Sequence, residues 1–217
     1  MNRTRTRRRL LALVPVAAVG VLALTGCDPL QAGSAAVVAK NRVTESQVDA
    51  DAKAVIAQLN KDGAQVPSTD ALLKAQVEFQ VDARLVAIAA QRQGIQITQG
   101  QIDDLIATSG GRATLHKQLA AQENLWLPPG ELDALAREFL TQQQLGPRLA
   151  PGKTTDEQTQ AVNDYMTKLA GEVGVVVSPR YGVFDPRTLQ IGALADDLSV
   201  PAGGSTPAPS PSASPVG

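Results

Sequence analysis

The chain has 217 residues, a formal net charge of −1 and only 3% aromatic residues, with one cysteine and one histidine. A single thiol and a single imidazole exclude an intrachain disulfide, a thiolate zinc site and a multi-histidine metal centre. The faintly acidic balance lacks the basic footprint of a nucleic-acid binder.

Arg3, Arg5, Arg7, Arg8 and Arg9 precede an uncharged apolar stretch from Leu10 to Leu24, and small residues follow. This is the layout of an export signal. The stretch is roughly 15 residues, short of the ~20 that a membrane span needs. Leu24-Thr25-Gly26-Cys27 resembles a bacterial lipobox. That resemblance implies cleavage before Cys27, a diacylglyceryl thioether on its sulfur and an acyl group on its new N-terminus. Buried methylenes contribute about 0.8 kcal/mol each, so two or more chains anchor stably. Thr6-Arg7-Arg8-Arg9-Leu10-Leu11 partly resembles a twin-arginine signal, which leaves the export route open.

The expected division is a signal peptide over 1–26, a lipidated N-terminus and linker over 27–34, a helical domain over 35–195 and a tail over 196–217. The signal holds five of the 20 basic residues and none of the 21 acidic ones, so the mature charge is −6. The linker from Asp28 to Ser34 reaches at most ~25 Å, which keeps the domain near the membrane surface.

In chain order, Ala35-Ala36-Val37-Val38-Ala39 reads as a short strand and Lys40-Asn41-Arg42 as a turn. Thr44-Glu45-Ser46-Gln47 is a capping box that opens a helix with Val48, Ala52, Val55, Ile56 and Leu59 on one stripe. Gly63 and Pro67 end it. A long helix is predicted from about Thr69 to Gln93. Its apolar residues lie on two faces, the mark of a central helix, and Gly94 is its left-handed cap. Thr98 and Gln101 repeat the box before Ile102, Leu105 and Ile106. A brief helix carries Leu115 and Leu119. Pro128-Pro129 then opens a helix to about Leu145 with Leu132, Leu135, Ala136, Phe139 and Leu140 on one side. Gly146-Pro147 and Pro151-Gly152 bracket a predicted loop. Thr155-Asp156-Glu157-Gln158 reads as another box, starting a helix through Val162, Met166, Leu169 and Val173. Val175-Val176-Val177 is a second strand, expected to pair with Val37-Val38. The Pro-, Ser- and Ala-rich end lacks the apolar content to order itself. The fold class is mainly α: one domain of about six helices, with a two- or three-stranded sheet joining its N- and C-terminal segments.

Three places resemble the N-terminal chaperone domain of the SurA/PrsA family of extracytoplasmic folding factors. They are the strand, turn and capped helix from Ala36 to Asp49, the link Gly94-Ile95-Gln96-Ile97-Thr98 with Gln101-Ile102-Asp103, and the closing segment from Val175 to Pro186. Ser178 stands where that family usually has Asn. The resemblance covers about Ala35 to Leu189 and implies a chaperone. Larger members insert a parvulin isomerase module of roughly a hundred residues; about ten separate Leu145 from Thr155, so isomerase activity is not implied.

The chemistry-bearing residues have ordinary readings. His116 reads as a non-catalytic residue beside an apolar stripe. Asp103-Asp104 and Asp196-Asp197 are neighbours that do not face one another in a helix. Gly110-Gly111 and Gly203-Gly204 lack the context of a phosphate loop. No enzyme motif, metal site or cofactor is expected apart from the covalent lipid at Cys27. As a chaperone, the chain would line a peptide-binding cleft with some of Phe79, Trp126, Tyr165, Met166, Tyr181 and Phe184. Read as structure, these are core residues, with Tyr181 and Phe184 locking the closing segment. The expected partners are unfolded or nascent exported proteins and the membrane, with no nucleic acid or small-molecule substrate. The expected location is the extracytoplasmic face of the cell membrane. The alternative is an interaction lipoprotein that binds one folded envelope partner.

Overall fold

The computed structural model describes residues 32–122 and 125–193. The predicted signal peptide, Cys27 and the tail over 196–217 lie outside the described residues. Within them the chain forms β1 (Ser34–Val38), β2 (Asn41–Thr44), α1 (Glu45–Asp62), α2 (Thr69–Gln93), α3 (Gln99–Thr108) and α4 (Arg112–Gln122). Then follow α5 (Leu132–Leu149), α6 (Thr155–Val173), β3 (Val175–Val177), β4 (Val183–Asp185) and β5 (Gln190–Gly192). Single 3-10 turns at Pro129–Glu131 and Pro179–Tyr181 complete the order.

The two valine segments meet. β1 pairs antiparallel with β2 on one side and with β3 on the other, Val37 facing Val176 and Val38 facing Val175. The Ala39 amide donates to the Gly174 carbonyl at 2.9 Å and the Ser178 amide to the Ala35 carbonyl at 2.8 Å. Ala35, Ala36 and Val38 are fully buried under α2. The main core gathers Val77, Val81 and Leu85 of α2 with Leu145, Met166, Leu169 and this sheet. A second cluster lies among α3, α4 and α5 around Phe79, Ile102 and Leu132, and a third joins α1 to the start of α2. The two-faced apolar pattern of α2 is explained by this position, with α1, α5, α6 and the sheet packed around it.

Local chemistry sets most boundaries. Gly94 ends α2 with φ +62°, and the Thr98–Gln101 box is complete, each side chain bonding the other's backbone. The Thr44 hydroxyl accepts from the Gln47 amide at 3.1 Å, but only this half of the predicted box forms. Thr44 still belongs to β2 opposite Ser34, so its backbone faces the sheet. The box predicted at Thr155 and Gln158 is shifted by one: Thr154 and Glu157 make it.

The predicted loop at Gly146-Pro147 is helix, since α5 runs to Leu149 with Pro147 inside its last turn. A proline there removes one amide donor, and three contacts hold the turn. Leu145 is fully buried, Leu149 packs on the core, and the Arg148 guanidinium donates to the Gln93 carbonyl at 2.6 Å. Gly146 lets α6 approach, because a Cβ there would lie 3.1 Å from Gln158 Cβ.

The closing hairpin β4–β5 was not anticipated. Ile191 is buried, and its amide donates to Glu78 Oε1 of α2 at 3.1 Å. Gly182 enters the hairpin at φ +121° and ψ −158°, a region open essentially to glycine alone. An added Cβ would meet the Gly192 carbonyl oxygen at 2.1 Å. Gly94 also has a positive φ, but nothing lies within 4 Å of its Cβ position. Gly182→Ala should therefore lose at least ~3 kcal/mol and Gly94→Ala only ~1 kcal/mol. Denaturant melts of the two variants check this, and equal losses would contradict the clash.

Candidate functional site

Of the six residues named as candidates for a cleft, four lie in or against the main core and the other two lie in separate clusters. Phe79 is buried in the second cluster, while Met166 and Tyr181 are buried in the main core. Tyr165 and Phe184 are half-buried against that core, and Trp126 packs on the third cluster. Tyr181 belongs to the closing machinery: the Arg180 guanidinium lies 5.0 Å from its ring centroid and pairs with Glu45 of α1 at 3.3 Å.

What the fold assembles instead is an aliphatic groove between α3, α4 and α5, with a volume of about 270 Å³. Helical spacing builds each wall. Leu105 comes from α3 and Ser109 from its C-cap, Leu115 and Leu119 from α4, and Leu132, Leu135, Ala136 and Phe139 from α5, with Leu125 also lining it. Phe139 is 54% exposed, an unusual state for so large an apolar side chain. It also lines a neighbouring groove between α5 and α6, where Gln142, Gln158 and Val162 contribute. The stripe containing Phe139 was legible in the sequence; its exposure depends on where α4 ends up.

Polar contacts hold these walls in place. Arg112 at the start of α4 bonds Asp133 of α5 and lies 3.4 Å from Asp103 of α3. Gln99 donates to both of those aspartates at 3.1 Å. These groups are largely exposed, so each contact contributes little alone and the set mainly fixes register. His116 Nε2 donates to the Leu127 carbonyl at 2.7 Å, pinning α4 to the segment before α5. The imidazole has a structural job.

A second recess, of about 570 Å³, opens between the end of α1 and the far side of α4. Leu59, Pro67, Ala120 and Trp126 line it, and Asp62 faces Lys117 across it at 3.8 Å. The fully buried Gln76 amide fixes the segment by donating to the Trp126 carbonyl at 2.7 Å.

Several charged groups on α1, α2, α5 and the turn before α5 are partly buried. Gln80 donates to Asp51 at 3.2 Å and accepts from Arg84 at 2.7 Å. Burial raises the carboxyl pKa of Asp51 and of Glu131. Asp82 on α2 is pushed up to about 7 by burial and then by the neighbouring Glu138 and Glu78. Burial alone pushes Glu138 on α5 up to about 7. Among the described residues, no group of His, Cys, Asp and Glu side chains could hold a metal ion. No helix among them is long and apolar enough to cross a membrane.

A carboxyl whose pKa is higher folded than unfolded binds its proton more tightly in the fold. Its contribution is therefore present below the unfolded value near 4 and is lost as pH rises through about 7. Asp82→Asn keeps the neutral shape at every pH. It should be nearly neutral at pH 3 and stabilise by on the order of 2 kcal/mol at pH 8. Melting curves at the two pH values check this; an equal effect at both would place Asp82 in solvent.

The chain matches no protein-family model, no curated protein and no solved structure. Its functional reading rests on these surfaces.

Proposed function

We propose that this protein is a lipid-anchored, extracytoplasmic holdase of the SurA/PrsA type that binds apolar segments of unfolded exported polypeptides without isomerising them. The observation that carries this reading is the leucine groove with Phe139 standing open at its rim. An aliphatic trough has no directional partners to satisfy, so it accepts Leu, Val, Ile or Phe side chains with little sequence preference. Each apolar side chain that leaves water contributes about 1.5–3 kcal/mol before ordering costs, which suits weak, reversible capture. The order of strand, capped helix and closing strand supports the family, and the short connection from α5 to α6 leaves no place for an isomerase module. An anchor at Cys27 would concentrate the groove where clients emerge from export.

The mature chain, in several-fold molar excess, should suppress aggregation of a chemically denatured test enzyme. Phe139→Glu should weaken suppression at least threefold without lowering the melting temperature, since this side chain is mostly in solvent. No suppression by the unaltered protein, or full suppression by the variant, would refute the reading. Crosslinking in cells should capture many unrelated exported proteins; one stoichiometric folded partner would favour the interaction-lipoprotein alternative.

Anchoring has its own test. Cys27→Ser should abolish acyl labelling and move the protein out of the membrane fraction. A variant that stays membrane-bound would show that something other than the acyl chains holds the protein there.

A further inference from the structure

The recess at Trp126 plays no part in the reading above. It lies on the other side of α4 from the leucine groove: Leu115 and Leu119 line the groove, while Lys117, Ala120 and Ala121 line the recess. Its two charges, Asp62 and Lys117, face each other at 3.8 Å, so the recess carries no net charge. Leu59, Pro67 and the Trp126 indole give it apolar surface, and the indole N–H is a donor suited to a backbone carbonyl. A flat aromatic face beside a hydrogen-bond donor is the chemistry that receives proline rings on an extended backbone.

The chain carries such a segment. From Leu198 to Gly217 there is no charged residue, and Pro207, Pro209, Pro211 and Pro215 follow closely on one another. We propose that this C-terminal segment of the chain, from about Pro207 to Pro215, docks in the Trp126 recess. Reach permits it. About 14 residues separate Ala193 from Pro207, which is ~43 Å in polyproline II form at ~3.1 Å per residue. A compact domain of about 160 residues has a radius of gyration of only ~15 Å. Proline loses little conformational freedom on docking, and tethering supplies an effective concentration in the millimolar range. A contact too weak to hold a free peptide at micromolar concentration is thus occupied within one chain. Neither partner carries net charge, so docking should not respond to salt. The leucine groove stays open behind α4.

Trp126 is the only tryptophan, so its emission reports on this recess alone. Two variants are compared with the full chain: one with Pro207, Pro209, Pro211 and Pro215 all changed to Ala, which keeps the length, and one ending at Ala193. Both should show red-shifted emission and a roughly twofold larger acrylamide quenching constant, equally at 0.05 and 0.5 M salt. A synthetic peptide of residues 200–217 should reverse the change in the shortened chain at millimolar but not at 10 µM concentration. Identical quenching of the full chain and the alanine variant overturns the proposal, whatever the shortened chain does. Protection that grows with protein concentration would assign the recess to a second copy, and protection only on adding denatured client would assign it to clients; either overturns it.

Discussion

The antiparallel pairing of β1 with β3 is the constraint on which the rest of the molecule depends. These strands are three to five residues long, and helices α1 to α6 all lie between β1 and β3 in the sequence. Closing a loop of about 135 residues between them costs on the order of 5 kcal/mol in chain entropy. Two short strands cannot offset that by hydrogen bonds alone, at ~1 kcal/mol net each. The difference comes from burial. Ala35, Ala36, Val38 and Val177 face the apolar side of α2, and Tyr181, Ile191 and the Arg180–Glu45 pair extend the seam beyond the strands. With the ends joined, α2 is enclosed, and α5 and α6 have a fixed surface on which to pack.

The groove follows from this enclosure and from the modest contact surface of α4. α1, α2, α5 and α6 each bury several residues, while α4 buries only Leu119 among its described side chains. It is held by Arg112 at one end and His116 near its middle, polar contacts whose net contribution is small. Segments with few buried apolar contacts open at lower free energy than the core. α4 thus presents aliphatic side chains to the groove while burying little surface of its own.

Features set by adjacent residues were legible in the sequence. The Thr98–Gln101 box, the Gly94 cap and the limits of α2 all follow from local punctuation and apolar spacing, and the two valine segments were visible as strands although their pairing is long-range. Features set by distant packing were not. Pro147 reads as a helix breaker, yet buried Leu145 and the bond from Arg148 to Gln93 keep the turn helical. The β4–β5 hairpin was missed because three-residue strands carry almost no pattern. Asp185-Pro186 was its one usable signal: Asp185 Oδ1 accepts the Arg187 amide at 2.8 Å, an Asx turn between the strands. The placement of the aromatic residues was hidden for a related reason. Tyr165, Tyr181 and Phe184 all serve the main core, Phe79 fills the second cluster and Trp126 packs on the third, and the open apolar surface is built mostly from leucine. Only the packing of α3, α4 and α5 shows where the leucines leave an open groove.

The most direct test of the account is native-state hydrogen exchange at the amides of Ala39 and Ser178, the donors that bracket the β1–β3 pair. If this pairing closes the molecule, both should exchange only through global unfolding, with the same opening free energy as core amides of α2 such as Val81, while amides of α4 open at lower free energy. Exchange at Ala39 and Ser178 well before the α2 core would show that the ends come apart while the helices stay packed, and would contradict the account.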